Sequence, residues 1–115
     1  TAASTYTPTL TNVANLDAST AYLTQYLQIG TLVVVFGRVD VDPTAAGSTQ
    51  LGISLPVASD FTSGEQCGGV AFSIAVAGQG AGIFADSTNN RAQLQFVTAD
   101  TANRGMFFIF GYRVL

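Results

Sequence analysis

The stretch Gly105-Met106-Phe107-Phe108-Ile109-Phe110-Gly111-Tyr112-Arg113-Val114-Leu115 decides how the rest of the chain is read. A period of two places Met106, Phe108, Phe110, Tyr112 and Val114 on one side of a strand, and Phe107, Ile109 and Leu115 on the other. Both sides are apolar. A strand in a small sandwich turns only one face to the core. The other face needs a cover, and a second copy of the chain is the economical one. Left bare, Met106 to Phe110 would be an aggregation hazard.

Upstream, Arg91 to Val97 alternates cleanly, with Ala92, Leu94 and Phe96 inward and Arg91, Gln93 and Gln95 outward, the pattern of a half-buried strand. Leu32 to Asp42 carries Val33, Val35, Val39 and Val41 on one face. Val34, Phe36, Arg38, Asp40 and Asp42 share the other, apolar at its start and charged at its end, and Pro43 terminates the strand. Before it, Gly30-Thr31 reads as a two-residue hairpin loop with Gly at the position needing positive φ. That loop pairs Ile29 with Leu32, Leu27 with Val34 and Tyr26 with Val35. The strand feeding it is expected over Ala21 to Ile29. A helix through Tyr22, Leu23, Tyr26 and Leu27, capped by Asp17, is the competing reading.

Thr5 to Val13 is expected as an edge strand, because Pro8 cannot donate to a ladder. Asn12 to Ser19 is expected as a loop. Further strands are placed at Gln50 to Leu55, Val70 to Ala77, Ala81 to Ala85 and Gly105 to Leu115. Eight or nine short strands without a convincing helix predict an all-β, antiparallel β-sandwich, jelly-roll-like.

Composition narrows the function. At 115 residues, length alone allows one domain, residues 1–115. Only 10% of residues are charged, against an ordinary quarter or so, and the net charge is −3. All four cations are arginines (Arg38, Arg91, Arg104, Arg113), scattered along the chain. Nucleic acid is therefore not an expected partner, since phosphate neutralisation needs clustered basic residues. Nor is membrane insertion, because the longest apolar run, Leu32 to Phe36, falls far short of the ~20 residues a span needs. The start at Thr1 without methionine suggests a piece of something longer.

Catalytic and metal-binding constellations are lacking. With no histidine, neither Cys67 nor Ser54, Ser63 or Ser73 has a base to activate it. Cys67 is the only cysteine and cannot form a disulfide within the chain. Asp40-Val41-Asp42 is an acid pair beside Arg38, but calcium needs six or more oxygens and no DxDxDG loop is present. Gly78-Gln79-Gly80-Ala81-Gly82 is not followed by a helix start, so a phosphate loop is not supported. No enzyme activity, no cofactor and no metal are expected. The fold is expected to rest on apolar burial.

Several segments together resemble the C-terminal domains of bacteriophage tail fibres and related virion proteins. They are Tyr6-Thr7-Pro8-Thr9-Leu10-Thr11-Asn12, Val39-Asp40-Val41-Asp42-Pro43-Thr44-Ala45, Leu51-Gly52-Ile53-Ser54-Leu55-Pro56-Val57-Ala58-Ser59, Leu94-Gln95-Phe96 and Phe108 to Leu115. The likeness covers nearly the whole chain, and its motifs are strand ends and turns. It implies a homotrimeric, receptor-binding tip on a longer fibre, located on the virion. Its partners would be copies of itself and a bacterial surface glycan or protein receptor. No ligand residues carry over.

The residues themselves suggest Val34, Phe36, Phe107, Ile109 and Leu115 for the oligomer interface. For receptor contacts, polar loops on a rigid sandwich are the expected place. These are the Asp60-to-Glu65 loop, with Phe61 as a stacking platform, and two similar turns carrying Asn89, Asn90, Arg91, Asn103 and Arg104. Asn and Arg match sugar hydroxyls as hydrogen-bonding partners. Two competing functions are a carbohydrate-binding module of an enzyme, which usually shows exposed Trp that this chain lacks, and a trimer-locking or capsid-decorating domain without recognition.

Overall fold

The computed structural model describes residues 2–115. Ten strands follow in order: β1 (Ala2–Tyr6), β2 (Leu10–Ala14), β3 (Leu16–Ala21), β4 (Thr24–Ile29), β5 (Leu32–Pro43), β6 (Gly47–Ile53), β7 (Cys67–Ser73), β8 (Gly80–Asp86), β9 (Arg91–Thr98) and β10 (Arg104–Arg113). A single 3-10 turn spans Gly64–Gln66, and there is no α-helix among the described residues. The strands form one antiparallel sheet, ordered β1-β4-β5-β10-β7-β8-β9-β6-β2, with β3 beside β5. The expected all-β, antiparallel architecture is present as one continuous curled sheet.

The curl closes through a bent segment. β2 pairs with β6 at one end of the order, and β3, directly after it, pairs with β5 near the other. The corner is Asn15, at φ 61, a conformation asparagine tolerates better than most residues. Its Nδ2 donates to the Ala45 carbonyl and to Thr49 Oγ1, and its Oδ1 accepts from the Ala45 amide. One side chain thus ties the corner to the β5–β6 connection.

This corrects the expected loop over Asn12 to Ser19, which is strand on both sides of Asn15. Little of β2 and β3 is buried, so their backbone pairing leaves no apolar alternation to read. The Ser19 hydroxyl donates to Asn12 Oδ1 across the bend. The single strand expected over Thr5 to Val13 is also two. Between them Pro8 is buried and the chain crosses from one edge of the sheet order to the other. Proline there costs no ladder bond, because no ladder runs through it.

The hairpin at Gly30-Thr31 forms with the expected register, Ile29 opposite Leu32, Leu27 opposite Val34 and Tyr26 opposite Val35. Gly30 has φ +61. The helical alternative through Tyr22 to Leu27 is excluded, since Thr24–Ile29 is strand and the expected start at Ala21 belongs to β3. β3 and β4 share one edge of β5, and Gly37 lies where they part. A Cβ on Gly37 would come within 2.7 Å of the Thr24 hydroxyl.

The core fills the inside of the curl. Val33, Val35, Val39 and Val41 of β5 are fully buried, joined by Leu51 and Ile53, Ala92, Leu94 and Phe96, and Met106, Phe108, Phe110 and Tyr112. Phe108, Phe110 and Tyr112 stack along β10 at 5.8 and 6.2 Å. The Tyr112 hydroxyl donates to the Val57 carbonyl at 2.6 Å, anchoring the long β6–β7 connection.

Candidate interface and recognition surfaces

The outer face of β5, β10 and β7 is apolar in register. Phe36 stands opposite Ile109, which stands opposite Val70. In the adjacent row Phe107 lies between Arg38 and Phe72, and the Phe72 and Phe107 rings meet edge to face at 5.7 Å. Exposure runs from 41% at Phe107 to 59% at Val70. Five such side chains expose roughly 500 Å² of apolar surface, taking about 150–250 Å² for each aromatic ring. That lies near the upper end of what a stable monomer's largest patch reaches. Toward β1 the face continues into a groove of about 460 Å³ lined by Ala3, Thr5, Gln25, Leu27 and Phe36.

Of the expected interface residues, Phe36, Phe107 and Ile109 share this patch, with Val34 half-buried in the next row. Leu115 lies apart. Its amide donates to the Ser59 hydroxyl, its carbonyl accepts from the Asp60 amide, and it lines a separate hollow. Val70 and Phe72 went unassigned from sequence. Their i, i+2 spacing was the available signal, but on β7 the large residues point outward and the small Cys67, Ala71 and Ser73 point in.

Arg38, Asp40 and Tyr22 form a cluster at the rim. Arg38 Nε donates to Asp40 at 3.1 Å, Tyr22 donates to the same carboxylate at 2.5 Å, and the guanidinium stacks over the Tyr22 ring. Asp40 is thus engaged by its neighbours. Among the described residues no three His, Cys, Asp or Glu side chains are grouped to hold a metal ion. Cys67 is buried, and burial pushes its thiol up to about 12.

The loop candidates do not form one site. Asn89, Asn90 and Arg91 lie at one end of β9 and Asn103 and Arg104 beyond the other, about 24 Å apart at strand spacing. Phe61 is no stacking platform. It is 4% exposed, with its ring edge-on to Tyr112 at 5.8 Å. The Phe61 amide donates to Asn90 Oδ1, which joins the two loops. Asn89 and Arg91 both donate to Asp86. Arg104 is 3% exposed and paired with Asp100. Asn103 is exposed. Most of these side chains build the turns.

These turns carry a pH dependence. The Arg104 guanidinium holds the Asp100 carboxyl below its usual range. At Asp86 burial works the other way, but the bonds from Asn89 and Thr88 and the Arg91 charge outweigh it and lower the value. A carboxyl lowered in the folded state stabilises at pH above its unfolded value, about 3.9, and that stability is lost as pH falls through the folded value. The Tm should therefore be level from neutrality down to about pH 5 and drop below about pH 4. A Tm that rose on acidification would contradict this pairing.

A hollow of about 320 Å³ lies at the end of the outer face. Gly111 lines it together with Leu32, Glu65, Gln66, Arg113 and Leu115. Gly111 stands opposite Gly68 on β7, so two adjacent outer positions have no side chain. Among the described residues Arg113 makes no ion pair. Hydrogen bonds from its own amide and from Ser63 hold the Glu65 carboxyl below its ordinary value. Gln66 is occupied, its Oε1 accepting from the Thr62 amide and its Nε2 donating to the Thr62 hydroxyl.

No family model matches the chain, and neither a curated protein nor a solved structure shows significant similarity to it.

Proposed function

We propose that this chain is the receptor-binding tip of a phage tail fibre. In this reading it is a homotrimer of jelly-roll-like sandwiches that attaches the virion to the bacterial surface by recognising carbohydrate. The observation that carries the reading is the exposed apolar face of β5, β10 and β7, with Phe36, Val70, Phe72, Phe107 and Ile109 in adjoining rows. An assembly that covers this face threefold keeps it from water. The segments resembling fibre tips add the class of assembly, and the low charge of the surface suits neutral, hydroxyl-rich partners. Weak contacts multiplied over three copies give useful avidity.

Sedimentation equilibrium should report about three times the 11.9 kDa chain mass, and the labelled protein should bind whole bacterial cells. A stable monomer at micromolar concentration would refute the assembly. A second reading, a trimer-locking or capsid-decorating domain without recognition, draws on the engagement of Asn90, Arg91 and Arg104 within their own turns. The trimeric mass without binding to any bacterial cell would favour it.

A further inference from the structure

We infer that the hollow over Gly111 is a subsite for a single saccharide ring; the inference rests on the attachment reading above and places its contact. The first support is what the two glycines do not do. Neither Gly111 nor Gly68 has positive φ. A Cβ on Gly111 would meet only the Val33 carbonyl oxygen at 3.6 Å, an ordinary contact, and one on Gly68 would meet nothing within 4 Å. Neither backbone conformation nor packing requires glycine here. Glycine in a strand interior weakens it, and such a position often marks where a ligand or another backbone comes close.

The second support is the chemistry of the rim. Arg113 supplies donors only and Glu65 acceptors only. Both line the hollow and make no ion pair with each other. Glu65 accepts from its own amide and from Ser63, and its remaining lone pairs and the Arg113 guanidinium are the polar groups a ligand there would meet. Sugar hydroxyls both donate and accept, so one ring satisfies the carboxylate on one side and the guanidinium on the other. Leu32, Gly111 and Leu115 offer an apolar surface to the ring's C–H face. The volume, about 320 Å³, sits at the lower bound for ligand pockets, which begin at about 300 Å³. It suits one ring rather than a chain. The occupant is thus a terminal or branch hexose of a surface glycan.

The test is a backbone-amide NMR titration of the full chain with D-glucose, D-galactose, L-rhamnose and N-acetyl-D-glucosamine, alongside Gly111→Val and Arg113→Gln. At least one sugar should shift the amides of Leu32, Gly111 and Arg113 along a saturable curve. Gly111→Val should abolish the shift while the spectrum elsewhere and the sedimentation mass stay as in the parent. Arg113→Gln, an exposed change that needs no repacking, should weaken the binding at least tenfold. The inference is overturned if none of the four sugars moves these amides, or if both variants still bind. Dissociation of the assembly by Gly111→Val would also overturn it, assigning the hollow to a second copy's backbone. Cell binding that survives both variants removes this pocket but leaves attachment standing. Sugar binding by a protein that attaches to no bacterial cell does the reverse.

Discussion

Replacing Phe110 by alanine should lower the unfolding free energy by about 3–5 kcal/mol. Phe110 is the largest fully buried side chain and lies between Phe108 and Tyr112 in the stack along β10. That strand pairs with β5 on one side and β7 on the other, so the cavity would open at the centre of the sheet. The same seam forbids growth. A Cβ on Gly69, directly across from Phe110, would stand 2.1 Å from the Ile109 carbonyl oxygen and 2.6 Å from Phe110 Cα. Backbone cannot retreat as a side-chain tip can, so Gly69→Ala should cost at least the ~3 kcal/mol at the top of the usual overpacking range. Against a total of about 5–15 kcal/mol, either change removes much of the stability. Urea unfolding at fixed protomer concentration would show a lower midpoint with an unchanged slope. A shift below about 1 kcal/mol for Phe110→Ala would mean that the stack is not the centre of the core.

Most of the inner face was legible in the sequence because burial there is an alternation. Period two grouped the four valines of β5, the Ala92-Leu94-Phe96 series and the Met106-to-Tyr112 series each on one face, and each of those faces is the buried one. The Gly30-Thr31 hairpin was legible to the register, because a two-residue loop leaves a single pairing. What failed was strand without alternation. β2 and β3 pair through their backbones with both faces largely wet, so Asn12, Asn15, Asp17 and Ser19 read as turn residues. Only Asn15 is one, and it turns a strand rather than ending it. The loop residues misled in the opposite direction. Asn, Asp and Arg suit sugars, but they equally suit turn closure, and no pattern in one sequence tells which partner a side chain has found. Phe61 was misplaced because a lone aromatic in a polar loop carries no periodicity to reveal that it folds back on Tyr112. The Gly111 hollow was invisible for a related reason. A missing side chain has meaning only beside its neighbour on the next strand, here Gly68.

On β10 consecutive residues have opposite expected roles, and that contrast gives the sharpest test of assembly. Phe108 is buried inside the curl, whereas Ile109 is 46% exposed on the outer face beside Phe36 and Val70. The pair Phe72→Thr with Ile109→Thr keeps residues that favour strands while removing two apolar side chains from that face. Phe72 and Ile109 are 56% and 46% exposed, so covering the face in a trimer buries about half of each, and each substitution loses about 0.7–1.5 kcal/mol of burial per subunit. Summed over three subunits, the loss of about 4–9 kcal/mol corresponds to more than a hundredfold in the trimer association constant at ~1.4 kcal/mol per factor of ten. Sedimentation should then find the 11.9 kDa monomer at concentrations where the parent is trimeric. Because neither residue packs in the core, the dissociated chain should keep its circular-dichroism spectrum and still unfold cooperatively. Phe108→Thr should do the opposite, lowering stability by about 3–5 kcal/mol through a hole in the core that reassociation cannot refill. A double variant that remained fully trimeric would move the interface off β5, β10 and β7, with the groove lined by Leu27 and Phe36 as the next surface to substitute.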